Sequence, residues 1–131
     1  MKKGYLALLE EANALIESCD VEQLKAMQSD TDTLIVDLRE TAEILRDGMI
    51  PDAFHAPRGL IEFWVDPDSP YHKSVFQEKK HFILYCASGW RSALTTKTLI
   101  EMGLKNVKHL KGGFGAWKNS GAPIASKKSH S

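Results

Sequence analysis

The chain has 131 residues, of which 43% are hydrophobic and 26% are charged, a composition that fits one globular domain and excludes a disordered or fibrous protein. The 17 Lys plus Arg balance 17 Asp plus Glu, and this neutral total argues against a dedicated nucleic-acid or membrane-surface binder. The balance is a cancellation, because residues 1–68 carry 6 basic and 15 acidic side chains (net −9), whereas residues 69–131 carry 11 and 2 (net +9). The basic half is still able to attract a small anion.

The chain carries no pattern of an exported or membrane protein. Its basic start is followed by Glu10 and Glu11 rather than by an apolar signal segment, and no apolar run approaches the ~20 residues that span a bilayer. We therefore expect a cytoplasmic protein without membrane or nucleic-acid partners. The two cysteines, Cys19 and Cys86, are too few for a disulfide framework, although a single bridge between them stays open. The histidines have no metal-ligand spacing, so no metal site is expected.

Helical and strand patterns alternate along the chain. Apolar residues at helical spacing predict a first helix near 4–18, and Asp20 with Gln23 predicts the capping box of a second helix over 21–27. The later elements are, in chain order, a strand over 33–38, a helix over 40–47, an irregular stretch over 49–70 with one short helix around 59–65, a helix near 71–79, a strand over 81–85, a helix over 92–102, a strand over 106–110 and a helix over 114–119. This alternation predicts an α/β fold in which helices cover both faces of a central, mostly parallel sheet.

The domain organisation predicted from these patterns is simple. One domain extends over residues 1–124, and it includes an N-terminal helical extension over about 1–28. The last stretch, residues 125–131, is short and polar and is predicted to be a disordered tail.

Cys86 occupies the position at which an α/β fold places its ligand sites. It follows the strand over 81–85 and precedes a loop, and the next helix begins at Ser92. Backbone N–H groups of such a loop, the positive end of the helix and the charge of Arg91 all favour a thiolate, and they lower a cysteine pKa from about 8.5 into the reactive range. The alternative is a buried structural thiol, which is our interpretation of Cys19.

Four motifs occur in order between residues 33 and 123. They are Asp37-Leu38-Arg39-Glu40, Gly48-Met49-Ile50-Pro51-Asp52-Ala53, the loop Cys86-Ala87-Ser88-Gly89-Trp90-Arg91, and Leu110-Lys111-Gly112-Gly113-Phe114-Gly115-Ala116-Trp117 with Gly121 and Pro123 after it. Together they resemble the rhodanese-like sulfurtransferases, whose corresponding signatures are Asp-x-Arg-Glu, Gly-His-Ile-Pro-Gly-Ala, Cys-Arg-x-Gly-x-Arg and a glycine-rich C-terminal segment.

The resemblance implies a rhodanese-like fold and catalysis through a cysteine persulfide. Cys86 then takes the sulfane sulfur of a small sulfur-bearing anion such as thiosulfate, and passes it to cyanide in an assay or to a thiol or protein in the cell. The resemblance implies no cofactor besides this covalent intermediate and no metal. The residues implied in substrate binding are Ala87, Ser88, Gly89, Trp90, Arg91 and Ser92, whose backbone amides hold the persulfide charge.

One departure and two rival functions accompany this resemblance. The second loop position is usually Arg in the family but is Ala87 here, which weakens the case for thiosulfate more than the case for persulfide chemistry. The related phosphatases and arsenate reductases use Cys-x5-Arg, whereas Arg91 gives Cys-x4-Arg and Ser92 stands where the longer loop has its arginine. The second rival is a persulfide carrier or regulatory binding module without efficient thiosulfate turnover.

Further residues have two interpretations each. Asp37 and Arg39 are either an acid–base pair or, as we predict, a structural ion pair at a strand end. Arg58 either assists anion binding or is an exposed loop residue. Trp90 either shapes the pocket mouth or contacts a partner, or it only covers the loop.

Overall fold

A computed structural model describes residues 1–127. Within these residues the strands are β1 (Glu17–Cys19), β2 (Thr33–Asp37), β3 (Phe54–His55), β4 (His81–Tyr85) and β5 (Val107–Leu110). The helices are α1 (Tyr5–Leu15), α2 (Val21–Met27), α3 (Thr41–Asp47), α4 (Ile61–Val65), α5 (Val75–Glu78), α6 (Trp90–Glu101) and α7 (Gly113–Asn119).

The five strands form one sheet in the order β1-β5-β4-β2-β3, and every pair is parallel. The predicted α/β fold is therefore confirmed. Because the strands are parallel, their carboxyl ends lie at one edge of the sheet, where such folds bind their ligands. The central strand β4 ends at Tyr85 and delivers Cys86 to this edge.

Side chains alternate between the two faces of the sheet, as strand geometry requires. Leu34, Val36, Phe82 and Leu84 pack with Leu99 of α6 and with residues of α4 and α5 in one cluster. The opposite face carries a second cluster with α2 and α7, whose buried members include Leu24, Ile35, Ile83, Tyr85, Phe114 and Trp117. Both faces are thus covered, which explains why the strands are continuous apolar runs in the sequence.

The N-terminal extension differs from the prediction, because it is not entirely helical. Helix α1 ends at Leu15, and residues 17–19 form β1, which pairs with β5 at the edge of the sheet. An edge strand of three residues is too short to show a period-two pattern, so the helical spacing before it extended the predicted helix too far. Leu9 and Ala12 of α1 pack against Ala93 of α6.

Smaller differences occur elsewhere. The irregular stretch contains the two-residue strand β3, and the helix predicted near 71–79 is reduced to the four residues of α5. Helix α6 begins two residues before Ser92, because Gly89 adopts a left-handed conformation (φ +111°) that turns the loop directly into the helix.

The C-terminal segment is partly attached to the domain. Ala125, inside the stretch predicted as a tail, exchanges two backbone hydrogen bonds of 2.8 Å with Met49. Lys127 Nζ also lies 3.0 Å from His55 Nδ1, so the contacts with the domain extend beyond residue 125. Residues 128–131 of the predicted tail lie outside the described part of the chain. Among residues 1–127 we find no helix with the length and hydropathy needed to cross a membrane.

Candidate active site

Cys86 is buried at the centre of a tight loop formed by residues 86–91, the active-site loop. Its side chain belongs to a residue only 1% exposed, and its Sγ accepts hydrogen bonds from the backbone amides of Gly89 (3.1 Å) and Ser92 (3.3 Å). The Ser92 hydroxyl lies 3.5 Å from the same sulfur. Two amide dipoles and the N-terminal end of the 12-residue helix α6 therefore stabilise negative charge on this sulfur.

Other amides of the loop are free to bind an anion. Within residues 1–127, the backbone N–H groups of Ala87, Ser88, Trp90 and Arg91 have no hydrogen-bond acceptor. Ser88 and Trp90 are exposed, so this part of the loop faces solvent. The loop thus presents backbone donors to solvent around a buried sulfur.

Helix α7 holds the active-site loop through two backbone hydrogen bonds. The amides of Phe114 and Gly115 donate to the carbonyl oxygens of Cys86 (2.7 Å) and Ala87 (3.0 Å). Gly113 makes this contact possible, because a β-carbon there would lie 2.5 Å from the Cys86 oxygen and 2.8 Å from the Ala87 oxygen. From the sequence, Gly112-Gly113 indicated only a turn, and no local signal showed that the turn touches the loop.

A buried ion pair lies at the carboxyl end of β2. Asp37 and Arg39 are 0% and 1% exposed, and the carboxylate accepts from the Arg39 backbone amide (2.9 Å), Nε (3.1 Å) and Nη2 (2.8 Å). The Tyr85 hydroxyl donates a fourth hydrogen bond of 2.6 Å to Asp37. We call Asp37, Arg39 and Tyr85 the Asp37 cluster. The Asp37 carboxylate thus accepts four hydrogen bonds from buried donors of the protein.

The Asp37 cluster is linked to three further parts of the chain. Arg39 Nη2 donates to the Gly48 carbonyl (2.7 Å), the Ile50 amide donates to the Tyr85 hydroxyl (3.1 Å), and the guanidinium carbon lies 4.2 Å from the Phe114 ring centroid. Burial opposes the charged guanidinium, but hydrogen bonds and charge from Asp37 outweigh it and raise the pKa of Arg39. For Tyr85, burial itself raises the pKa, and the charge of Asp37 adds to this effect.

Arg91 does not supply the free positive charge expected from the sequence. Its Nη1 and Nη2 atoms each lie 2.8 Å from a carboxylate oxygen of Glu43 in α3, in a bidentate pair. The hydrogen bond from Arg91 is the main reason why the pKa of Glu43 falls to about 2 from 4.5. Glu43 therefore neutralises Arg91 and ties the active-site loop to α3.

The remaining candidate residues lie near the same edge of the sheet. Arg58 is exposed, and its backbone amide donates to Leu38 (3.1 Å), whose own amide donates to Tyr85 (2.9 Å). Trp90 is 56% exposed, and its ring centroid lies 5.0 Å from that of Tyr5 in α1. Trp90 thus joins the active-site loop to the N-terminal helix, a contact that the sequence did not predict.

One residue near the site was not singled out by sequence reasoning. His109 of β5 is 5% exposed, and its Nδ1 lies 2.9 Å from the Ser92 hydroxyl. In the sequence, the spacing of the histidines argued only against a metal site. The alternation in β5 was an available signal, because it places His109 with Val107 on the sheet face that α6 covers.

The second cysteine has different surroundings. Both cysteines are free, so the disulfide left open by the sequence is absent. Burial raises the pKa of the Cys19 thiol to about 11, which makes it a poor nucleophile. Within residues 1–127, no group of three or more His, Cys, Asp or Glu side chains is placed to hold a metal ion.

Comparison with known proteins identifies the family of this site. Residues 20–120 match the family model described as the rhodanese-like domain. The chain belongs to the rhodanese-like domain family. A curated relative named sulfurtransferase, from Allochromatium vinosum, is 37% identical over 111 residues, which cover 84% of this chain and 95% of that protein.

Solved structures agree with the rhodanese-like fold. A structure from Rhodopseudomonas palustris, described as a protein of unknown function and "Possible Tyrosine Phosphatase", is 50% identical with a TM-score of 0.90, and the match covers 95% of this chain and 96% of that one. The thiosulfate sulfurtransferase of Pseudomonas aeruginosa shares the fold at 19% identity and a TM-score of 0.72, covering 87% of this chain and 20% of that one. The first match extends into α1 and β1, which lie outside the family model.

The contact between Gly113 and the active-site loop predicts a costly substitution. Gly113→Ala places a β-carbon against two loop carbonyls at a positive φ (+60°), so we expect a loss of about 1–3 kcal/mol in the free energy of unfolding. Urea denaturation measures this loss. Gly59→Ala is the control, because a β-carbon there meets nothing within 4 Å. Equal stability of the two variants would contradict the packing argument.

The Arg91–Glu43 pair predicts a pH dependence of stability. The pKa of Glu43 in the folded protein, about 2, lies below its ordinary value of 4.5, so its contribution is present above pH 4.5 and is lost as the pH falls towards 2. Glu43→Gln should therefore flatten the dependence of the unfolding free energy on pH in this window. Denaturation at a series of pH values tests this, with the exposed Glu10→Gln as control. Identical slopes for wild type and Glu43→Gln would refute the pairing effect.

Proposed function

We propose that this rhodanese-like protein is a cytoplasmic sulfurtransferase that carries sulfane sulfur on Cys86. The observation that supports the proposal most strongly is the buried Cys86 sulfur, which accepts hydrogen bonds from the Gly89 and Ser92 amides at 3.1 and 3.3 Å. A thiolate stabilised in this way is the nucleophile that covalent sulfur transfer requires. The relative named sulfurtransferase supports the same activity class.

The proposed reaction has two displacement steps. In the first, the Cys86 thiolate attacks the outer sulfur of a donor such as thiosulfate; a new S–S bond forms, the old one breaks, and sulfite leaves with its electron pair. In the second, cyanide or a thiol attacks the outer sulfur of the persulfide and releases the Cys86 thiolate. Neither step needs an oxidant or a group beyond the protein and its two substrates.

The charge distribution of the loop suits a persulfide better than a phosphoryl group. Arg91 is paired with Glu43, and Ala87 has no charge, so the anion-binding groups of the loop are backbone amides. Such amides can stabilise the single negative charge of a persulfide without the help of a cationic side chain. Exposed Arg58, at the same edge of the sheet, is the cation that we propose attracts the donor anion.

Phosphate-ester hydrolysis is the second candidate, because the Rhodopseudomonas palustris structure is described as a possible tyrosine phosphatase. A phosphoryl group carries two negative charges and favours an arginine clamp. In this chain the loop arginine is engaged by Glu43 at 2.8 Å, and Ser92, the following residue, is fully buried behind the sulfur. These contacts favour sulfur transfer.

Replacement of the nucleophile tests the proposal. Cys86→Ser is nearly isosteric and should abolish sulfur transfer from thiosulfate to cyanide while the fold is retained, because an unactivated hydroxyl cannot form the persulfide. The assay measures thiocyanate formation, with Cys19→Ala as the control that should keep its activity. Full activity in Cys86→Ser would overturn the mechanism. Cysteine-dependent hydrolysis of para-nitrophenyl phosphate without thiocyanate formation would favour the phosphatase instead.

The missing loop arginine predicts a gain of function. Ala87→Arg places a cation beside the entering dianion, so the KM for thiosulfate should fall several-fold, by about 1 kcal/mol of binding free energy. Ala87→Gln serves as a control for side-chain length without charge. Steady-state kinetics at low salt gives the comparison. Equal KM values for the Arg and Gln variants would show that a positive charge at residue 87 does not aid thiosulfate binding.

A further inference from the structure

A chain of hydrogen-bonding groups leads from the Cys86 sulfur through Ser92 to His109. The Ser92 hydroxyl lies 3.5 Å from the sulfur and 2.9 Å from His109 Nδ1. All three residues are buried, with exposures of 1% for Cys86, 0% for Ser92 and 5% for His109. Side chains of the active-site loop, α6 and β5 are therefore connected within the core.

The far end of this chain meets a cavity. His109 lines a space of about 340 Å³ together with the loop residues Ser88 and Gly89, Asn13 of α1, Ser18 of β1 and Lys111. The cavity lies between the N-terminal elements and the active-site loop, and its lining includes the polar side chains of Asn13, Ser18, Ser88 and Lys111. A proton on His109 therefore has polar surroundings outside the sulfur site.

We propose that His109 is a positioning residue that receives the thiol proton of Cys86 through the Ser92 hydroxyl. The Cys86 S–H bond breaks and its electron pair stays on sulfur, while Ser92 takes this proton on oxygen and gives its own proton to His109 Nδ1. The products are a thiolate, an intact serine hydroxyl and an imidazolium, so protons and charge balance. The hydrogen bonds then reverse direction: Nδ1–H donates to Ser92, and the hydroxyl donates to the thiolate.

After this reversal the Ser92 hydroxyl donates a third hydrogen bond to the thiolate, in addition to those from the backbone amides of Gly89 and Ser92. The transfer also keeps the net charge of the three buried side chains at zero, because the thiolate and the imidazolium form in one step. An unpaired buried charge would be costly. Burial lowers the pKa of His109, which favours the neutral ring before the proton is transferred.

Few other charges act on the two ends of this chain. Lys111 is the charged side chain that lines the cavity beside His109, and the register neighbours of His109 in the sheet, Ser18 and Leu84, are uncharged. Arg91 acts on Cys86 through its charge, but Glu43 binds it in a bidentate pair, and Glu40 adds a weaker negative influence on Arg91. His109 is therefore the titratable group best placed to exchange a proton with Cys86.

The pH dependence of Cys86 alkylation tests this inference. The substitution His109→Asn retains an acceptor for Ser92 but cannot take up a proton. In a Cys19→Ala background, the rate of alkylation by iodoacetamide near neutral pH should fall about tenfold, because less of the reactive thiolate forms without the proton acceptor. At high pH, where hydroxide removes the proton, the rate should return to that of the parent.

Two further variants make the result specific. Ser92→Ala interrupts the chain and should shift the profile in the same direction, and the double variant should shift it no further than the larger single shift. His81→Asn, the same substitution at the opposite end of β4, should leave the profile unchanged. An unchanged profile in His109→Asn, or a rate that falls equally at every pH, would overturn the inference.

The inference rests on the proposed function only in assigning a thiolate as the nucleophile. Alkylation needs no sulfur donor, so the two ideas fail separately. A shifted profile in a protein that does not transfer sulfur would refute the sulfurtransferase and retain the proton chain. Sulfur transfer with an unshifted profile in His109→Asn would do the reverse.

Discussion

The buried interaction of Asp37 with Arg39 and Tyr85 constrains the whole site. Its three residues end β2, begin the following turn and end β4, so one carboxylate fixes two strand ends beside Cys86. Removal of the carboxylate would leave the Arg39 charge unpaired in the core, which costs about 3–5 kcal/mol. Arg39 also stacks on Phe114, whose amide holds the Cys86 carbonyl at 2.7 Å. The cluster therefore positions the active-site loop although it does not touch the reacting sulfur.

A loop held in this way can stabilise an anion with backbone groups alone. Gly89 and Ser92 direct their amides at the sulfur, α7 fixes two loop carbonyls from below, and Glu43 fixes Arg91 from the side. Because the donors are already oriented, no reorganisation is needed when negative charge forms on the sulfur. The net positive charge of residues 69–131 does not place a free cation in the active-site loop. The one cation of the loop, Arg91, is neutralised by Glu43 from the acidic half of the chain.

The parts of this structure that the sequence predicted are those with strong local patterns. The apolar runs that became β2 and β4 and the capping box of α2 were all recognised, and together with the four motifs they led to the correct family. β1 was missed, because three residues at a sheet edge carry no period. The Arg91–Glu43 pair joins residues 48 positions apart, and the contact between His109 and Ser92 depends on sheet register, so neither had a local signal.

The central claim is that Cys86 carries sulfur as a persulfide. The most direct measurement is the intact mass of the protein after incubation with thiosulfate and removal of the excess. We expect a gain of about 32 Da, one sulfur atom, in the wild type, which is reversed by cyanide and absent from Cys86→Ser. No gain in the wild type, or an equal gain in Cys86→Ser, would contradict it.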